Sequence, residues 1–168
     1  VIGFYQYESD VSNISVSGKN QAYYSRSVSK VTVLPENHSL RSSIIGAYPK
    51  TADEICISDY FLEVLKNNSY YNVTLNENGV ANQFDTDDIL EIRSANDIIG
   101  KYIVCGSRPF KVTGVFGSGQ ISAKFDKLKE NLDLNSQEMY RLKSEYENYL
   151  NEGLKTAFLV DEGFTKYL

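Results

Sequence analysis

A short apolar strand that runs straight into a capped, amphipathic helix start is written twice in this chain. The first copy is Ile55-Cys-Ile-Ser-Asp-Tyr-Phe-Leu-Glu-Val-Leu65 and the second is Phe158-Leu-Val-Asp-Glu-Gly-Phe-Thr-Lys-Tyr-Leu168. In each, the apolar run ends on a polar residue able to accept from the free N–H groups of a first helical turn. Two such units on one sheet predict an α+β fold, a mixed β-sheet with strand–helix units packed on one face. A length of 168 residues fits a single domain over 1–168, or two small lobes that share a core. No repeat at a solenoid or propeller period accompanies the echo.

The segments around the first unit extend this reading. Gly46 to Phe61 predicts a turn at Pro49, a strand over Glu54–Ile57, and a helix capped by Ser58 whose apolar residues Phe61, Leu62 and Leu65 lie three to four apart. Lys101–Cys105 and Phe110–Phe116 flank Gly106-Ser-Arg-Pro109, which reads as a β-hairpin with a four-residue loop. Ile14–Ser17 and Val28–Leu34 alternate as half-buried strands, with a turn at Gly18–Gln21 between extended segments and a break at Pro35–Ser39. Residues 67–96 read as an elaboration: strands at Val73–Leu75 and Ile89–Ile92, and a strong turn at Asn76–Gly79.

Residues 122–152 carry the clearest helical period. Phe125, Leu128 and Leu132 repeat at three and four, and the pattern resets at Asn135. Leu134 before Asn135, with Glu138 and Met139 after it, predicts a capping box with a hydrophobic staple. Met139, Leu142, Tyr146 and Tyr149 or Leu150 continue one apolar face, and Gly153 is the expected stop. Two helices, or one sharply interrupted, are expected.

Composition excludes several classes. A net charge of −5 leaves no basic stripe to displace counterions from phosphates, so nucleic acid is not an expected partner. No run reaches the roughly 18–20 apolar residues that span a bilayer. The chain opens at Val1-Ile-Gly-Phe without Met and stops at Leu168 just inside a helix start, so a piece of a longer protein is expected.

Residues able to do chemistry are sparse. The one histidine, His38, lies in a polar turn and reads as an exposed loop residue. No Gly-x-Ser-x-Gly elbow accompanies any serine, and one His with two separated Cys cannot supply the usual zinc spacing. Gly114-Val-Phe-Gly-Ser-Gly119 lacks the Gly-Lys-Ser/Thr ending of a phosphate loop and reads as a strand end. Asp85-Thr-Asp-Asp88 with Glu91 lacks the glycine and final glutamate of an EF-hand and reads as a solvated acidic turn. Cys56 and Cys105 each sit inside an apolar strand. They read as two buried thiols, with a disulfide as the alternative in an oxidising compartment. No catalytic, cofactor-binding or metal-ligating residue is therefore assigned, and no cofactor is expected.

Thirteen tyrosines stand beside no tryptophan. Tyr5, Tyr7, Tyr23, Tyr24, Tyr70 and Tyr71 cluster outside the helices. Strand propensity and a wet core edge account for them, and an exposed cluster would instead suit glycan, peptide or protein binding.

In order and spacing, the segments 46–61 and 97–116 resemble the extracytoplasmic domain of MacB/FtsX-type ABC transporter permeases. The matching residues are Gly46, Pro49, Glu54, Ile55, Ile57 and Ser58, then Ile99, Gly100, Lys101, Ile103, Phe110, Lys111, Val112, Gly114 and Val115. Thr156–Tyr167 looks like the strand-then-helix that follows in that family, and the likeness covers about half of the chain. The resemblance implies a non-catalytic domain on the extracytoplasmic side of a bacterial cell membrane, tethered by membrane helices outside this sequence. It implies as partners a cytoplasmic ABC ATPase that hydrolyses ATP, and a second permease copy or an accessory protein. The transported substrate and the binding surface stay open. A secreted glycan- or peptide-binding module is the alternative, and a small hydrolase built on a carboxylate pair is the second.

Overall fold

Strand-forming residues dominate the first third of the chain, and the main sheet starts there. In the computed structural model, which describes residues 3–16, 22–130 and 136–168, the first elements are β1 (Phe4–Asp10), β2 (Ile14–Ser15) and β3 (Ser27–Thr32). Next come α1 (Ser39–Ser42), β4 (Ile45–Gly46), β5 (Glu54–Ser58), α2 (Asp59–Asn67), β6 (Ser69–Tyr71) and β7 (Ile89–Leu90). The chain continues through α3 (Ala95–Ile98), β8 (Tyr102–Cys105), β9 (Arg108–Phe116), a 3₁₀ helix (Ala123–Lys129), α4 (Gln137–Glu152), β10 (Ala157–Val160) and a second 3₁₀ helix (Glu162–Tyr167).

The fold is α+β, as expected. The main sheet runs β1-β3-β10-β5-β9-β4, with β8 also on β9, and β2-β6-β7 form a smaller sheet. Pairing is mixed: β3 with β10 and β5 with β9 are parallel, and the other pairs are antiparallel. The two echoed strand–helix units are neighbours, because β5 and β10 pair directly through Cys56 and Leu159. A bridge between Val11 and Cys105 brings the chain after β1 to β8 and curls the sheet. Buried Asn13 fastens the two sheets. Its Oδ1 accepts from the Val104 N–H at 3.0 Å, and its Nδ2 donates to the Tyr102 carbonyl at 3.0 Å and the Tyr71 carbonyl at 3.2 Å. A buried amide is tolerated only when its bonds are met in this way.

Strand alternation divides the core. Ile55, Ile57, Phe158 and Val160 join the large cluster, beneath Phe61, Val64 and Leu65 of α2, Tyr146 and Leu150 of α4, and Phe125, Leu128 and Phe164 of the 3₁₀ segments. Cys56, Leu159, Phe116 and Leu34 form a small cluster on the other face, with Leu40, Ile44, Tyr48 and Leu154 packed against it. The helical cover is thus concentrated on one face. Full burial of side chains such as Phe61 and Phe158 contributes roughly 1.5–3 kcal/mol each. The large cluster includes residues from both sheets, Ile14 and Tyr70 with Val31 and Ile55, so the two sheets share one core.

Several local expectations are corrected. The β8–β9 hairpin turns on two residues rather than four: Gly106 and Ser107 both have positive φ, 54° and 66°. That is the handed geometry which fits strand twist, and it lets Arg108 and Pro109 pair with Cys105 and Val104. Val73–Leu75 is not a strand, because the pairing with β2 and β7 is taken by Ser69–Tyr71. Leu75 makes only an isolated bridge to Ala81, across the expected turn at Asn76–Gly79. In α2 the buried set is Tyr60, Phe61, Val64 and Leu65, so the stripe is rotated and Leu62 is only half-buried.

The helix α4 starts from Ser136, whose Oγ accepts from the Met139 N–H at 3.2 Å. The expected cap at Asn135, like Leu132 and the turn at Gly18–Gln21, lies outside the described residues. Gly153 does end α4, with an extended rather than left-handed backbone. His38 is half-buried instead of exposed, because its Nδ1 caps α1 by accepting from the Leu40 N–H at 3.1 Å. Among the described residues no helix is long and apolar enough to cross a membrane.

Candidate functional site

The two segments that carry the family resemblance meet in space. Glu54–Ser58 pairs in parallel with Lys111–Phe116, and Gly46 pairs with Gly114 on the other edge of β9. Gly46 has φ of +101°, and a Cβ there would lie 2.4 Å from the Thr113 carbonyl oxygen. A Cβ on Gly114 would lie 2.6 Å from Ile44 Cγ2 and 3.0 Å from the Ala47 carbonyl oxygen. Both glycines are needed for backbones to approach this closely. Glu54 holds the turn before β5 by accepting from the N–H groups of Lys50 (2.9 Å) and Thr51 (3.1 Å). Ser58, fully buried, caps α2 from Phe61 N–H at 3.0 Å and donates to the Lys155 carbonyl at 2.6 Å, which joins the two strand–helix units. The chemistry in these motifs is structural.

The tyrosines divide between core and surface. Tyr23, Tyr24 and Tyr70 are buried, Tyr7 and Tyr71 half-buried, and Tyr5 exposed. Tyr60 and Tyr146, both buried, donate to the Tyr23 carbonyl at 2.9 and 3.0 Å, and the Tyr23 and Tyr146 rings stack. Burial raises the Tyr60 and Tyr146 phenols above their usual range, so this cluster is a neutral hydrogen-bonded wall at ordinary pH.

On that wall opens the best candidate for a site, a cleft of about 370 Å³ between the start of α2 and the segment Gly119–Ile121. Asp59, Glu63 and Asp126 supply its carboxylates, with Tyr23, Tyr24 and Lys129 beside them. The Gly119 side is latched. Asp59 Oδ1 accepts from Ser118 N–H at 3.0 Å and from the Ser118 hydroxyl. Lys155 Nζ, nearly buried, donates to the Ser118 and Gly119 carbonyls at 2.9 Å each. Burial pulls the Lys155 ammonium pKa down, opposed by the Asp59 charge.

Sequence reasoning flagged the Tyr23–Tyr24 doublet but not this cleft. Its walls come from the loop before β3, from α2, and from the segment after β9, and only Tyr-Tyr beside a serine-rich strand was visible locally.

The other residues weighed for chemistry lie apart. Cys56 and Cys105 are free and buried, and burial pushes their thiols up to about 11 and about 12, so neither is a ready nucleophile. His38 caps α1, and Asp85 Oδ1 is used within its own turn by the Asp87 N–H at 2.8 Å. Among the described residues no group of three or more His, Cys, Asp or Glu converges to hold a metal. Neither a family model, nor a curated protein, nor a solved structure matches the chain.

Proposed function

We propose that this chain is the extracytoplasmic domain of an ABC transporter permease of the MacB/FtsX type. In this reading it is a non-catalytic element on the outer side of the cell membrane. ATP is hydrolysed by a cytoplasmic ATPase, and flanking membrane helices carry the motion to this domain. It then acts with a second permease copy or an accessory protein in export or in control of an extracellular partner.

One observation carries the reading. The two motif segments, about fifty residues apart, lock together at the Gly46–Gly114 crossing and along β5 and β9. Two of the matched residues, Gly46 and Gly114, fall where a side chain would clash with the neighbouring strand, and this supports the reading. The rival of a secreted glycan- or peptide-binding module drew on an exposed tyrosine cluster, and three of the six tyrosines are buried.

Purification of the parent protein from cell membranes, with identification of co-purifying chains, tests the proposal. An ABC ATPase in fixed ratio to the parent is the expected result. Recovery of the parent from the soluble fraction without any ATPase would refute it.

A further inference from the structure

We propose that Asn78–Gly79 is a site of self-modification, where the exposed turn of the 67–92 elaboration exchanges a side-chain amide for a carboxylate without an enzyme. Of all the asparagines in the chain, Asn78 alone precedes a glycine. Both residues are exposed, and Gly79 has a left-handed backbone, φ +77°, with nothing within 4 Å of where a Cβ would lie. The Gly79 nitrogen, once deprotonated by hydroxide, therefore has room to attack Cγ of the Asn78 side chain. The new N–Cγ bond closes a cyclic succinimide, and the side-chain nitrogen leaves as ammonia. Water then opens the ring at either carbonyl, which gives aspartate or its β-linked isomer. No electrons change hands, so water and hydroxide are the only co-reactants.

The fold restrains this position only weakly. The attacking group, the Gly79 N–H, is held by one bond inside the exposed turn, to the Asn76 carbonyl at 3.0 Å. Other asparagines are fixed. Asn68, which precedes Ser69, donates through Nδ2 to the Val64 carbonyl at 2.8 Å, and Ser69 is paired with Ser15 in the small sheet. Asn13 is fully buried with both ends of its amide bonded. The product falls where charge is already uneven. Residues 67–92 carry Glu77, Asp85, Asp87, Asp88 and Glu91 with no Lys or Arg, so the whole net charge of −5 resides there. Conversion of Asn78 adds one more negative charge to that same elaboration. The assignment is independent of the permease reading.

Incubation of the full 168-residue chain at pH 8, native and in guanidinium chloride, with peptide mapping by mass, tests this. The native protein should convert first at Asn78. Its rate should be about two- to tenfold below that of the unfolded chain, the worth of the single turn hydrogen bond on the Gly79 N–H. The rate should rise in proportion to hydroxide, and in heavy-oxygen water the product should gain one heavy oxygen atom. Aspartate and its β-linked isomer should both appear, because direct hydrolysis of the amide would give aspartate alone. Asn78→Gln, an exposed change that leaves the fold intact, should abolish the conversion on the same timescale. Conversion led by another asparagine, or aspartate formed without its isomer, would overturn the proposal. So would a native rate more than about tenfold below the unfolded one.

Discussion

Gly46 lies directly opposite Gly114 across the β4–β9 pair, with a left-handed backbone that brings the site of its missing Cβ to 2.4 Å from the Thr113 carbonyl. This contact decides whether the two motif segments can meet at all. Gly46→Ala combines a positive-φ penalty with a backbone clash and should cost about 2–4 kcal/mol. Gly114→Ala, where Ile44 can shift, should cost about 1–3 kcal/mol. Gly153→Ala, with φ of −102° and nothing within 4 Å, should fall within about 0.5 kcal/mol of wild type. Urea titration of the three variants checks the ranking.

Ser58 performs two tasks that the sequence shows as one. Ser58→Ala removes the α2 cap and also leaves the buried Lys155 carbonyl without its donor, so a loss of about 2–3 kcal/mol is expected. Ser136→Ala removes only an exposed cap and should cost about 0.5–1 kcal/mol. A comparison of their denaturation midpoints separates the two roles.

Alkaline pH should unfold the protein. The folded state holds Cys56 up to about 11 and Cys105 up to about 12, against an ordinary 9.0, and Tyr7 and Tyr70 at about 12, against 10.0. Burial is the leading cause for all four. Above pH 9 the unfolded chain therefore binds fewer protons than the folded one, and stability falls as pH rises through these folded values. Below pH 9 these groups contribute no slope. Chemical denaturation in steps from pH 8 to pH 11 should show a decline that Cys56→Ser with Cys105→Ser makes shallower. A thiol reagent should label the native protein slowly and the urea-unfolded protein fast.

Lys155→Met should release the latch on the segment after β9. The methylene stem is preserved, while the two hydrogen bonds to Ser118 and Gly119 carbonyls are lost, which costs about 1.5–3 kcal/mol. Amide exchange should accelerate at Gly119–Ile121 and stay unchanged in β5 and β10.

Most of the fold was legible where one local signal sufficed. Glu54–Ile57 followed by a Ser58 cap, the second unit at Thr156–Tyr167, and the Phe125–Leu128 repeat all formed where the pattern placed them. What escaped depended on partners distant in sequence. Ser69–Tyr71 became a strand, rather than Val73–Leu75, because Ile14–Ser15 and Ile89–Leu90 were there to pair with it. The α2 stripe shifted to include Tyr60 and Val64, since Tyr60 finds a buried acceptor in the Tyr23 carbonyl. The cleft was invisible for the same reason: Tyr24, Asp59, Glu63 and Asp126 come from three segments, and none carries a motif by itself.

The sidedness of this domain in living cells tests the central claim most directly. Cys56 and Cys105 are buried, so a single cysteine at the exposed turn, Asn78→Cys in the full parent protein, gives a clean reporter. A membrane-impermeant maleimide should label Asn78→Cys in intact cells as completely as in lysed ones. Labelling that appears only after lysis would place the domain inside the cell and contradict the account.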